Sequence, residues 1–89
     1  YNYTGIIENN SIYNISCYPN PVTNNLTIRN LSRNKIDIVI YNVLGEQLYI
    51  AQNVSEQALT VNLSSINPGT LLIKIKSDQQ VSTYKLLKL

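Results

Sequence analysis

Few side chains in this 89-residue chain have the type or spacing that catalysis or metal binding requires. The chain contains no histidine, the most versatile general base and a common metal ligand. Its five acidic residues stand singly in predicted turns and on predicted strand exteriors: Glu8, Asp37, Glu46, Glu56 and Asp78. A glycosidase-like carboxylate pair assembled by the fold is the one catalytic arrangement left open. We therefore expect no enzyme, no metal and no cofactor.

The single cysteine, Cys17, has no partner with which to form an internal disulfide. A nucleophilic cysteine would also need an activating base, and histidine is absent from the chain. We expect Cys17 to be a small buried apolar residue.

The charge pattern argues against nucleic acid as a partner. The net charge is only +2, and the seven lysines and arginines form no dense cluster. Charged residues make up 13% of the chain, well below the usual quarter, so Asn, Ser, Thr and Gln supply most of the polarity. The seven tyrosines are scattered and not spaced as a base-stacking platform, which favours packing on a sheet.

Asn-x-Ser/Thr tripeptides occur more often than this composition predicts by chance. They include those that begin at Asn2, Asn14, Asn25, Asn30, Asn53 and Asn62. One interpretation is N-glycosylation of a secreted domain. The other, which we favour, is that alternating strands place polar residues two apart on an exposed face.

Alternation of apolar and polar residues predicts an all-β fold, an immunoglobulin-like antiparallel β-sandwich of seven strands. The predicted strands are residues 12–18, 25–30, 35–41, 47–53, 58–63, 70–77 and 81–89. In the third strand Ile36, Ile38 and Ile40 should face the core, and in the fourth Leu48 and Ile50 should do so. A short loop at 78–80 should make the last two strands antiparallel neighbours.

Residues 1–11 have weak periodicity, which is typical of a linker or arm leading into a domain at 12–89. No segment reaches the length of a transmembrane helix, and the chain does not start with a signal peptide. If the protein is secreted, we expect its export signal elsewhere, or this chain to be a piece of a longer one. A protease should cut first within residues 1–11.

The segment Tyr18-Pro19-Asn20-Pro21 predicts a rigid corner between two strands. Pro19 and Pro21 have fixed φ and lack N–H donors, so neither suits a central ladder position. Asn20 tolerates turn conformations.

This corner opens an ordered set of motifs that closely resembles the type A C-terminal sorting domain of the type IX secretion system of Bacteroidetes. That family combines YPNP, a strand, a turn containing Gly, a second Gly-containing loop and a terminal Lys pair. The matching segments are residues 18–21, 26–28, 38–46, 61–69, 71–75 and 84–88. Departures are Asn42 for the usual Asp, Glu46 for Arg or Lys, and Leu71 for the common Tyr.

The resemblance implies a C-terminal secretion signal that directs an attached cargo protein through the type IX outer-membrane translocon. It implies the translocon and a surface sortase as partners, and a secreted or cell-surface location reached through the periplasm. The sortase commonly cuts in the preceding linker and joins the cargo to anionic lipopolysaccharide. Recognition would rest on Lys85, Leu86, Leu87 and Lys88, while Pro19, Asn20, Pro21, Gly45 and Gly69 would shape the corner and turns. We expect both lysines to be exposed and to add little stability.

An alternative function is an immunoglobulin-like carbohydrate-binding or adhesin module. Tyr13, Tyr41 or Tyr49 would then stack on sugars, which requires exposed aromatic rings in a common plane. A sorting signal requires an accessible last strand instead.

Overall fold

Alternating apolar residues form seven strands in the computed structural model, which describes residues 14–32, 34–78 and 80–89. Residues 1–11, the predicted linker, and Ile12, the predicted start of the first strand, lie outside the described residues. The strands are β1 Ile15–Tyr18, β2 Asn25–Asn30, β3 Ile36–Asn42, β4 Gln47–Val54, β5 Ala58–Asn62, β6 Gly69–Ser77 and β7 Gln80–Lys88.

Two antiparallel sheets face each other. One has the strand order β1-β2-β5 and the other the order β4-β3-β6-β7. Because β5 returns to the first sheet after β3 and β4 have formed the edge of the second, the order is that of an immunoglobulin-like sandwich. The predicted fold class is confirmed, and β6 and β7 are the antiparallel neighbours that the short loop predicts.

The core lies between the sheets and is built from one side of each central strand. In β3, Ile36, Ile38 and Ile40 are buried as predicted. They meet the inward residues of β2 and β6, which are Leu26, Ile28, Leu71, Ile73 and Ile75. Branched side chains at every second position suit a sheet face that another sheet covers.

The prediction for the inward side of β4 is wrong. Leu48 and Ile50 lie on the outer surface, and Ile50 is 49% exposed, while Tyr49 and Ala51 pack against the core. The pairs Ile40↔Tyr49 and Ile38↔Ala51 explain this, because directly opposed residues point to the same side of a sheet. Both alternating sets of β4 are apolar, so period alone does not choose between them.

Two of the Asn-x-Ser tripeptides close the ends of strands. Asn30 Oδ1 accepts hydrogen bonds from the N–H and hydroxyl of Ser32, at 3.0 and 2.5 Å. Asn62 Oδ1 accepts the same pair from Ser64, at 2.9 and 2.6 Å. Each is an Asx turn, in which the side chain replaces a backbone acceptor. This spacing therefore has a structural role at these two sites, distinct from the exposed alternation that we expected.

Candidate functional site

Strand β7 forms one edge of the four-stranded sheet. Along one edge, β7 pairs with β6 without a register shift, from Gly69↔Lys88 to Ser77↔Gln80. Among the described residues no strand pairs with its other side, where only an isolated parallel bridge joins Val22 to Lys88. An edge strand offers unpaired backbone groups, so it is a natural place for recognition.

The Pro-Asn-Pro corner lies directly against this edge. The Asn20 amide nitrogen donates to the Lys85 carbonyl at 3.1 Å, and the Leu87 N–H donates to Asn20 Oδ1 at 3.0 Å. Val22 continues the contact, since its N–H donates to the Leu87 carbonyl and its carbonyl accepts the Leu89 N–H, both at 2.9 Å. The corner and the last strand, which the sequence separates by more than sixty residues, are one structural unit.

Asparagine suits this position because its side-chain amide carries a donor and an acceptor in the arrangement of a peptide group. Aspartate would lack the donor to Lys85, and a longer glutamine would displace both bonds. Pro19 and Pro21 flank Asn20 and both follow cis peptide bonds. With φ fixed at two of three residues, the corner holds Asn20 toward β7.

The other motif-bearing segments lie at the same end of the sandwich. Pairing of Asn42 with Leu71 and of Gly69 with Lys88 brings the ends of β3 and β7 together at the start of β6. We call the surface formed by residues 19–22, 42–46, 63–69 and 85–89 the corner end. These four segments are far apart in the sequence and adjacent in the fold.

The β3–β4 turn at the corner end is held by Asn42, through its backbone bonds to Gly45 and Glu46 and through its side chain. Asn42 Oδ1 accepts from the N–H groups of Leu44 and Glu46, at 2.9 and 3.0 Å, and its amide donates to Glu46 Oε1 at 2.6 Å. Gly45 has φ of +84°, a conformation that glycine adopts without strain. An Asp at this position would keep both backbone bonds, while Asn42 gains the contact with Glu46.

Exposed apolar side chains concentrate at the corner end. Val43 is 69% exposed and Leu44 is 81% exposed, at the tip of the turn. Other exposed large apolar residues at or beside this end are Tyr18, Leu48, Leu87 and Leu89. An open groove of about 470 Å³ runs between the turn and the β5–β6 loop, with Ile66 and Pro68 among its lining residues. Apolar groups gathered beside a groove are typical of a protein-binding surface.

Comparison with known families identifies the family of this chain. The family model for the secretion system C-terminal sorting domain matches residues 16–88, most of the chain. The chain belongs to this family. The sorting domains of the family act as C-terminal signals for type IX secretion, which exports proteins from the cell. No curated protein matches the chain significantly.

The structure divides the four predicted recognition residues of the sorting domain into two pairs. Lys85 and Leu87 are exposed on the outer face, whereas Leu86 and Lys88 point inward. The expectation that Lys88 is exposed is wrong, because it shares the inward face with Leu86 and is only 6% exposed. Its aliphatic stem is buried, and its ammonium donates a hydrogen bond to the Leu89 carbonyl at 2.9 Å.

The two predicted structural glycines of the sorting domain lie in different settings. Gly45 is in the turn, as expected. Gly69 has φ of +146° and is the first residue of β6, so it joins the β5–β6 loop to the sheet. No sequence pattern directly predicts the contact between Asn20 and β7, although an amide held between two prolines is consistent with a fixed side-chain partner.

The tyrosines of the sugar-binding alternative that lie within residues 14–32, 34–78 and 80–89 are on opposite faces of their sheet. Tyr41 lies on the outer face and Tyr49 packs toward the core, so they share no plane, and Tyr13 lies outside the described residues. No three ligand-type side chains in the described part cluster to hold a metal. Cys17 is a free thiol that packs against the core, and burial raises its pKa to about 12. Within the described part of the chain, no helix has the length and apolar character needed to cross a membrane.

Proposed function

We propose that this sorting domain carries an attached cargo protein through the type IX outer-membrane translocon, and that the machinery reads the corner end. Concentration of the matching motifs and most of the exposed large apolar side chains at one end supports this role. A stability role does not account for Val43 and Leu44, since exposed apolar groups add little to folding.

The later steps are proposed from the family alone. A surface sortase cuts the chain before the domain, within or upstream of residues 1–11, and joins the cargo to anionic lipopolysaccharide. The cargo thus stays at the cell surface while the sorting domain is released. Nothing in the domain's own chemistry is needed for the cut, because the sortase supplies the catalytic groups.

Fusing residues 1–89 behind a signal peptide and a fluorescent reporter tests the proposal in a type IX-competent cell. We expect surface reporter in that cell and periplasmic reporter in an otherwise identical strain without the translocon. A reporter without the domain is the second control. Periplasmic retention of a folded fusion in the competent cell would refute the proposed function.

A further inference from the structure

The corner occupies only part of the outer edge of β7. Contacts from Asn20 and Val22 engage the Lys85 carbonyl, both backbone groups of Leu87 and the Leu89 N–H. These groups belong to every second residue, as expected for one edge of an antiparallel strand. The β6–β7 register is continuous, so the N–H and C=O of Val81 and Thr83 point to the same edge. We call residues 81–85 the free edge.

The free edge is exposed among the described residues. Val81 is exposed, Thr83 is half-buried and Lys85 is exposed, all on the outer face. The corner ends where the free edge begins, at the Lys85 carbonyl. An added strand would therefore fit beside residues 81–85 and would meet the corner at its end. The predicted recognition stretch at 85–88 cannot accept one without displacing Asn20 and Val22.

The outer face beside the free edge is positively charged. Lys85 lies on β7 itself, and Lys76 and Lys74 stand on β6 opposite Val81 and Thr83. The acidic groups nearby are Asp78 in the hairpin and Asp37 on β3, whose carboxylate accepts the Asn53 N–H at 2.9 Å. Asp37 is paired directly with Lys76, but three ammonium groups against two carboxylates leave this face net positive, which favours a strand with acidic side chains there.

From this geometry we propose that the free edge of β7 binds an extended acidic segment of the type IX machinery by strand addition. Backbone hydrogen bonds would supply the affinity, and the lysines would select the segment and its register. This inference rests on the proposed function and adds a second contact, along the free edge, to the one proposed at the corner end. The Asn20 corner acts as a stop that limits pairing to residues 81–85.

Amide hydrogen exchange on the 89-residue chain tests whether the edge is open. We expect the Val81 and Thr83 amides to exchange at least about tenfold faster than the Leu87 amide, which is bonded to Asn20. Equal protection would show that the edge is already covered, by the chain itself or by a second copy, and would overturn the proposal. Repeating the measurement at a tenth of the concentration separates those two outcomes.

The export fusion tests whether the edge is used. Thr83→Pro places a proline ring where the added strand would bond, without removing a bond to β6, and edge strands tolerate such a residue. Ile50→Pro is the matched control on β4, the opposite edge of the sheet. There the backbone groups of Tyr49 and Ala51 point toward β3, so the Ile50 N–H points outward. We expect Thr83→Pro to lower surface reporter at least about tenfold and Ile50→Pro to leave it near the parent level.

A charge reversal gives a second test that preserves the backbone. Lys74→Glu/Lys76→Glu should lower export at least about fivefold by repelling an acidic strand. Arg29→Glu, on β2 of the other sheet, carries the same change in net charge as either single reversal, Lys74→Glu or Lys76→Glu, and should export normally. Circular dichroism confirms that each variant is folded.

The outcomes separate the two proposals. If the parent fusion is not exported, the proposed function fails and the edge proposal fails with it. If the parent is exported and Thr83→Pro exports equally, or falls only as far as Ile50→Pro, the edge proposal alone fails. The edge proposal is supported if Thr83→Pro loses more surface reporter than Ile50→Pro, and if the reversals at Lys74 and Lys76 lose more than the Arg29→Glu control.

Discussion

Asn20 stands beside Leu87 as a peptide group of a neighbouring strand would, with its Oδ1 accepting the Leu87 N–H at 3.0 Å. Its amide donates in turn to the Lys85 carbonyl. One side chain thus covers part of the sheet edge that would otherwise be open to unwanted pairing. The most distinctive motif of the chain and its last strand are held together by this contact.

Asn20→Ala should lower the free energy of unfolding by about 1–2 kcal/mol, because two partly solvated hydrogen bonds are lost. Asn20→Asp should lose a similar amount, since a carboxylate cannot donate and would face the Lys85 carbonyl. Denaturant unfolding measures both. Asn24→Ala, at an exposed position of the same loop, is the control and should be near neutral. Equal stability of all variants would mean that the corner does not hold β7.

The fold was largely predictable from the sequence because its core strands alternate strictly. Ile36, Ile38 and Ile40 are separated by Asp37 and Val39, so only one choice buries the larger apolar set. Strand β4 resisted the same reasoning, since Leu48 and Ile50 compete with Tyr49 and Ala51. The pairing partner on β3, which sequence periodicity does not reveal, decides that strand.

The candidate site was predictable as a set of motifs and not as a surface. The sequence indicates the corner, the Gly45 turn and the last strand, but their proximity depends on pairing across the whole sheet. Charge alone groups Lys88 with Lys85 and predicts that both are exposed, which is wrong for Lys88. The alternation through Leu86 would have placed it inward, since residues two apart share a face.

Ile38→Ala should cost about 2–4 kcal/mol, because Ile38 is fully buried in the central strand and its truncation leaves a cavity. Leu48→Ala, on the outer face of the neighbouring strand, is the matched control and should cost less than about 1 kcal/mol. Denaturant unfolding of both variants gives the comparison. Similar losses at the two positions would contradict the assignment of inner and outer faces.

Cys17 should make stability fall at alkaline pH. Burial raises the pKa of its thiol from 9.0 to about 12, so the folded state binds the proton more tightly than the unfolded state. Its contribution is full below pH 9.0 and is lost as the pH rises toward about 12. Unfolding of the parent and of Cys17→Ala at about pH 8 and about pH 11 isolates it, because other groups titrate in both proteins. Parallel losses in the two would refute the prediction.

The two lysines of the last strand should separate stability from recognition. Lys88→Ala should cost about 1–2 kcal/mol, because it removes a buried aliphatic stem and its ammonium contact with Leu89. Lys85→Ala should change stability by less than about 0.5 kcal/mol, since its side chain is exposed, yet reduce export. Unfolding and the surface reporter are measured on each variant. Normal export of Lys85→Ala would leave that lysine only a role in solubility.

Val43 and Leu44 should matter for export and hardly at all for folding. Both side chains project from a turn that Asn42 holds through backbone bonds, so Val43→Ser/Leu44→Ser should leave the turn and the unfolding free energy unchanged within about 0.5 kcal/mol.

Loss of these two apolar side chains should still lower surface reporter, because anchors of this kind contribute through burial in the partner. Leu31→Ser/Ile50→Ser removes two comparably large apolar groups away from the corner end and is the matched control. If the turn variant exports as well as this control while both remain folded, the tip is not a contact and recognition lies elsewhere on the domain. A selective loss at the turn would place the partner against the corner end, beside the groove that Ile66 and Pro68 line.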